Sequence, residues 1–199
     1  ISPSTLKGFL CEWARTNLFL QSEDFLTTWS TDGWSMTTNI WIAPNGRMTA
    51  TLFTLWATLW SQRVTQSVTT TAAVYAQSIY VKPNGQNYIQ CNAAGWISIG
   101  YVNFDLSNGT VGTNSLWTGS IETLPNGWFR LNVITNAVSA STANVGFSAV
   151  PNANATRGQT VAGDGSSGLY LWWAQLELWL NVSSYIPTTT TTVTRNIDV

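Results

Sequence analysis

The sequence predicts an all-β protein, an antiparallel β-sandwich of about ten strands with little or no helix. Three observations lead there. Tryptophan (12 residues) and threonine are abundant while charged residues make up only 9%, a composition suited to pleated, half-buried surfaces. Turn signals at Asp32-Gly33, Pro44-Asn45-Gly46, Pro83-Asn84-Gly85, Asn108-Gly109 and Pro125-Asn126-Gly127 cut the chain into short runs. One run, Leu169 to Leu178, is long enough to cross a whole sandwich, roughly 33 Å at the usual rise of a strand.

Residues 1–20 carry no helical stripe and are expected as a lead-in packed on the sandwich; residues 21–187 form the sandwich itself, and 188–199 a threonine-rich extended exit. A strand is expected over 34–42. The stretch 47–60 tolerates a helix on pattern, but threonine at 49, 51, 54 and 58 favours extended chain, because β-branched side chains lose rotamer freedom in a helix. Val64 to Thr71 follows. Ser78 to Lys82 and Tyr88 to Asn92 are expected to pair as a hairpin through Pro83-Asn84-Gly85, where proline presets φ and Asn-Gly accepts positive φ. Further strands are expected at 97–104, 128–134 and 145–150, and a polar loop over 151–168. In the last long strand the even positions Tyr170, Trp172, Ala174, Leu176 and Leu178 are all apolar, which predicts one face in the core from end to end. Odd positions start apolar and finish on Gln175 and Glu177. Pro-Asn-Gly recurs at 44, 83 and 125, but its flanks do not repeat, so these are three independent turns rather than repeat units.

Composition excludes several functions. Net charge is −1 with no basic or acidic run, so no nucleic-acid partner is expected. No stretch reaches 18 apolar residues, so no membrane insertion is expected either. Histidine is absent, which removes Ser-His-Asp and Cys-His catalysis. Cys11 and Cys91 are too few for a structural zinc and suit small buried hydrophobes better than a bridge, with pairing left open. Among the nine acids only Glu23 and Asp24 are neighbours, and adjacent side chains usually diverge, so a pair of catalytic carboxylates is not expected. The chain is expected not to be an enzyme. Beginning at Ile1 without methionine, it looks like a piece of a longer polypeptide.

Sugar binding needs flat apolar faces for C–H groups and amides for hydroxyls. Candidate platforms beside turns or loops are Trp34, Trp96, Tyr101 and Trp117, with Asn84 and Asn92, and also Asn103 and Gln90, as hydrogen-bonding partners. Against each stands the plainer reading, that a sandwich of this size fills its core with tryptophan and solvates its amides.

Arg15-Thr-Asn-Leu18, Ser22-Glu-Asp-Phe25 with Trp29, Ser78-Ile-Tyr-Val-Lys82, Phe104-Asp-Leu106 with Gly109-Thr-Val111, Gly127-Trp-Phe-Arg130, Gly163-Asp-Gly165, Gly168-Leu-Tyr-Leu-Trp172, Gln175-Leu-Glu177 and Ser184-Tyr-Ile-Pro-Thr-Thr189 with Val193-Thr-Arg195 occur in this order. Together they resemble the jelly-roll domain of bacteriophage head-spike, head-fibre and tail proteins, itself similar to carbohydrate-binding modules of the galactose-binding-like class. The resemblance spans roughly residues 7 to 195. It implies a non-enzymatic virion protein, a homo-oligomer and most simply a trimer, in contact with other virion proteins and attaching to host-surface polysaccharide. A purely structural decoration or fibre-assembly domain is the alternative, and an accessory domain of a polysaccharide-degrading enzyme a distant third. Related sandwiches often hold a structural calcium between the start of the chain and its last strand; Glu23, Asp24 and Glu177 are the carboxylates placed for one. The favoured alternative is hydrogen-bonded acids, with Arg15 or Arg130 meeting Glu177. Trp13, Trp41, Trp60, Trp173 and Trp179 stand where the family pattern leads one to expect smaller residues.

Overall fold

The computed structural model describes residues 12–94, 100–136 and 139–197. In chain order its strands are β1 (Arg15–Asn17), β2 (Ser30–Asp32), β3 (Trp34–Ile42), β4 (Met48–Leu55), β5 (Leu59–Trp60) and β6 (Arg63–Thr70). Then come β7 (Tyr75–Asn84), β8 (Tyr88–Ala94), β9 (Tyr101–Asp105), β10 (Thr110–Ser115) and β11 (Thr118–Thr123). The last five are β12 (Phe129–Ile134), β13 (Ser141–Ala149), β14 (Val161–Ala162), β15 (Gly168–Leu178) and β16 (Val193–Arg195). Among the described residues the one helical element is the 3-10 turn Pro125–Gly127, and no helix is long and apolar enough to cross a membrane.

Two six-stranded sheets form the sandwich. The first runs β10-β9-β8-β13-β6-β2 and the second β11-β12-β7-β15-β4-β3, with every ladder antiparallel. Small two-stranded sheets, β1 with β16 and β5 with β14, close the margins. Alternation explains the interior. In β12 the side chains of Phe129, Leu131 and Val133 are buried while Arg130, Asn132 and Ile134 are half-buried on the outer face, as a period of two requires. Phe53, Ile79, Val81, Phe104, Leu131, Phe147, Leu169 and Leu171 belong to one core between the sheets. Cys91 sits in that core as a free thiol, pushed up in pKa by burial alone; Cys11 lies outside the described residues.

Two expectations are corrected. Ser78–Lys82 and Tyr88–Asn92 do not pair with each other: β7 lies in the second sheet between β12 and β15, and β8 in the first between β13 and β9. The turn at Gly85 (φ 87°) therefore carries the chain across the sandwich, and Gln86 ties the crossing to Tyr88 and Val150 carbonyls at 2.6 and 2.8 Å. Nor does β15 keep one face inward throughout. Leu169 and Leu171 point into the main core while Tyr170 and Trp172 lie on the outer face; beyond Trp173 it is Ala174 and Leu176 that point in. Trp173 has φ +50°, and the register against β7 slips between Trp172 and Gln175. One extra residue in a bulge exchanges the two faces.

The bulge is also where β15 changes partner. Up to Leu171 it pairs with β4. Past the bulge the segment after β1 takes over: Ala174 N donates to Ser22 O at 3.0 Å and Leu18 N to Leu176 O at 2.8 Å. Asn17, fully buried, fastens the junction. Its Nδ2 donates to the carbonyls of Ala174 (3.2 Å) and Ile186 (2.9 Å), and its Oδ1 accepts from Phe19 N and Leu176 N at 3.1 Å each. Released from β15, the tip of the β3–β4 hairpin packs on the outer face, where Ala43 and Ala50 join Trp128, Tyr170 and Trp172 in a second buried cluster.

Candidate functional site

Over β8 and β9 the outer face of the first sheet is closed by its own chain, whereas Ser67, Thr69, Thr142 and Asn144 on β6 and β13 stay exposed. Gln90 and Asn103, both fully buried, bond each other at 2.7 Å. Asn103 also donates to the carbonyls of Ala153 and Ala155 at 3.2 and 2.7 Å, and Gln90 to that of Thr156 at 3.1 Å. Asn92 donates to Gln90 Oε1 at 2.8 Å and to Ser148 Oγ at 2.9 Å. These amides hold the 151–159 loop down. Their hydrogen-bonding capacity is used internally, which answers the expectation that Asn92, Asn103 and Gln90 serve a ligand.

The outer face of the second sheet is different. The registers place Glu122, Arg130, Tyr80 and Trp172 side by side in one row, and Lys82 beside Tyr170 in the next. Between the two turns Pro44-Asn45 and Pro125-Asn126 lies a groove of about 250 Å3, lined further by Tyr80, Leu124, Trp172 and Trp173. Two of the three Pro-Asn-Gly turns thus face each other across it. The Trp128 indole N–H donates to Ile42 O at 3.1 Å, bridging the hairpin tip to the start of β12 beside that groove.

Aromatic rings form its floor. Trp172 and Trp173 stack with ring centroids 3.4 Å apart, and Tyr185 stacks on Trp173 at 4.1 Å. Tyr80 meets both indoles edge-on, at 5.3 and 5.7 Å. Beside them Trp41 stacks on Tyr170 at 5.1 Å. With Trp173 lying between two rings, its faces are engaged and its rim remains for the groove. The indole nitrogens of Trp172 and Trp173 are buried without a hydrogen-bond partner. Burial raises the pKa of Tyr80, with Arg130 opposing and Glu122 adding to the rise. Burial also raises Tyr185, against the lowering effect of its hydrogen bond with Ser22. Both phenols stay neutral at pH 7. No carboxylate is among the lining residues.

A larger hollow, about 460 Å3, lies near β1 and Trp179. Of its two rings, Tyr75 is buried in the core, and Trp179, half exposed, has one face taken by the Arg15 guanidinium 4.5 Å from its centroid. The smaller groove offers the richer chemistry.

The residues expected from sequence are scattered. Trp34 and Trp117, expected as exposed platforms, are instead 4% and 2% exposed in the inter-sheet core. Asn92 and half-buried Tyr101 are cross-strand partners in the first sheet. Asn84 is half-buried at the end of β7, and Trp96 lies outside the described residues. Nor are the three carboxylates expected around calcium gathered. Glu177 is fully buried and accepts from Ser183 N at 2.9 Å and from the Ser183 hydroxyl. Asp24 caps Leu26 N at 2.9 Å, and Glu23 is exposed. Among the described residues no group of three or more acids, histidines or cysteines is placed to hold a metal ion. The arginines expected at Glu177 also go elsewhere, Arg15 over Trp179 and Arg130 over Tyr80 at 5.4 Å.

No protein-family signature matches the chain, and no curated protein is similar to it in sequence. Among solved structures, the CBM22-1 xylan-binding domain of Xyn10C from Paenibacillus barcinonensis superposes with a TM-score of 0.46 at 11% identity, over 85% of this chain and 94% of that one. A likeness of that degree carries no functional argument.

Sequence reasoning missed Tyr80, Trp172, Trp173, Asn45 and Asn126. Trp41 and Trp173 were visible as bulkier than the family pattern, and both belong to this aromatic surface. The paired Pro-Asn-Gly turns were visible too. What a linear pattern lacks is that turns eighty residues apart close on one another.

Proposed function

We propose that the chain is a non-catalytic, glycan-binding sandwich of a bacteriophage virion, oligomeric and most simply trimeric, that contributes to attachment at host-surface polysaccharide. The observation carrying the glycan reading is the groove on the second sheet. Leu124, Pro44 and Pro125 give it apolar walls, Tyr80 a phenol, and Asn45 and Asn126 exposed amides. Trp172 and Trp173 add aromatic ring edges to its floor. The virion placement is supported by the ordered motifs from Arg15 to Arg195 alone.

A test is affinity electrophoresis and calorimetry of the purified chain against capsule and lipopolysaccharide from candidate hosts. Saturable binding that is lost in Trp173→Ala supports the reading. Binding to none of them, by chain whose oligomeric state has been measured, removes it. A second reading, a structural virion domain whose apolar surface is covered by neighbouring subunits, is favoured by Trp13, Trp56, Trp60 and Trp179, which are 49–66% exposed away from the groove lining. A monomer at high concentration, by sedimentation, would count against that reading.

A further inference from the structure

We infer that the sugar held in the groove carries an acid group, and that Lys82 receives it. This rests on the groove reading above and deepens it.

Three of the few cations of this chain, Lys82, Arg130 and Arg47, lie near the groove. Lys82 stands on the outer face of the second sheet, opposite Tyr170 in the ladder. Its ammonium donates to the carbonyl of Asn126, a groove-lining residue, and lies 5.7 Å from the centre of the Trp41 ring. An ammonium has three donors, so a carbonyl on one side leaves the others for an oxyanion. The carbonyl and the ring also hold the cation at the rim before any ligand arrives, which lowers the ordering cost of binding.

Its neighbours add to the same sign. Arg130 lies over the far ring of the floor, Tyr80, and is held by the Ser183 carbonyl at 2.5 Å. It acts through its field rather than by contact. Arg47 is exposed two residues beyond Asn45, its backbone N–H capped by the Asn45 side chain at 2.9 Å. Against these three stands exposed Glu122, next to Arg130. Glu177 is on the same sheet but fully buried and occupied by Ser183. Among the described residues the ion pairs are Arg63 with Asp32 and Arg195 with Glu12; the three cations near the groove enter neither. In a chain of net charge −1 this is a locally positive rim, and such fields concentrate counter-charged ligands.

The rings point the same way. With the faces of Trp173 between Trp172 and Tyr185, the groove meets ring rims. The rim of an aromatic ring is its electropositive part, which favours an anionic ligand over a cationic one. A neutral sugar uses the walls and the exposed amides of Asn45 and Asn126. An acidic one uses these and the ammonium as well.

The acid could be the carboxylate of a uronic acid or a phosphate on the ring, which share the negative charge that Lys82 reads. The experiment uses glucuronate-containing capsular polysaccharides, each native and after chemical reduction of its carboxyls to neutral sugar. A phosphate-bearing polysaccharide is measured in parallel before and after dephosphorylation. For wild-type protein at low salt the acidic form is expected to bind at least about tenfold tighter than its neutral counterpart, as for a charge-assisted hydrogen bond, with the gap narrowing as salt rises. Lys82→Gln is expected to collapse that ratio and Lys82→Arg to keep most of it. Whichever pair of forms shows the gap identifies the acid. Equal binding of charged and neutral forms by wild-type protein overturns the inference and leaves the groove reading standing if Trp173→Ala still abolishes both. Binding of neither form overturns both. The wild-type comparison needs no substitution, so poor folding of a variant does not blunt it.

Discussion

Trp172 and Trp173 are neighbours in a strand, yet their indoles lie face to face, 3.4 Å between centroids. Adjacent side chains in a regular strand point to opposite faces. The pair meets because Trp173 takes φ +50° in the bulge, a conformation that costs a non-glycine residue about 1–2 kcal/mol. Stacking with Tyr185 at 4.1 Å offsets part of that, at about 0.5–1.5 kcal/mol per aromatic pair. Trp173→Ala loses the stacks and keeps the strained backbone; Trp173→Gly loses the stacks and relieves it. In urea titrations Trp173→Gly is therefore expected to be the more stable of the two by about 0.5–1 kcal/mol. The reverse order would mean that the bulge does not survive loss of the indole.

Asn17 is the second testable point. Its amide makes four hydrogen bonds in a fully buried position, to Ala174, Ile186, Phe19 and Leu176. Asn17→Ala leaves backbone groups of both segments unpaired, at about 1–3 kcal/mol for each buried group that water does not reach. A loss of at least about 3 kcal/mol is expected by chemical denaturation. A loss below about 1 kcal/mol, within the range of an ordinary surface change, would show that the junction is held by other contacts.

Acid stability probes the loop before β15. Asp164 is exposed, and its carboxyl is held well below the usual range first by the Ser167 hydroxyl, then by the backbone N–H groups of Ser167 and Ser166. Because the folded pKa is depressed, the stabilisation is present above the unfolded carboxylate pKa of about 3.9. It is lost as pH falls through the folded value. Asp164→Asn is thus expected to melt lower than wild type at pH 7, with the two melting curves converging below about pH 4. A gap that is constant with pH would assign the effect to packing.

Gly146 tests the centre of the first sheet. A Cβ there would stand 2.1 Å from the Val64 carbonyl oxygen and 2.8 Å from Thr65 Cα, both backbone atoms that cannot rotate away. Gly146→Ala is expected to cost more than about 3 kcal/mol, since overpacking against a backbone is harder to relax than against a side chain. Near-native stability by circular dichroism melting would contradict the close strand approach.

Much of the architecture could be read from residue order, and the reasons it stopped are physical. Turn residues bounding short runs located β3, β6, β12 and β13, and β-branched threonine located β4; of these only β12 shows the strict alternation of one covered and one less covered face. Alternation failed in β15, where Tyr170 and Trp172 are as apolar as Leu169 and Leu171; when both faces are buried, period says nothing about which looks inward. A short Pro-Asn-Gly link suggested local pairing of β7 with β8, but the same few residues also serve a crossing between sheets, and only the non-local partners decide. Trp34 and Trp117 were misplaced for a related reason: nearness to a turn does not set which side of a strand a ring leaves from. The groove itself joins residues 44–45, 80, 124–126 and 172–173, and no local pattern ties those together.

The pairing of β1 with β16 places Arg15 opposite Arg195 and Asn17 opposite Val193, so the chain enters and leaves at the same end of that ladder. A load applied to the two ends peels such a ladder one rung at a time instead of shearing all its bonds at once. Tension would first break the Glu12–Arg195 contact, then the three rungs, and only afterwards reach the Asn17 clasp. Mechanically, the margin of the domain is a fuse, and the spine with its ring-lined groove lies behind it.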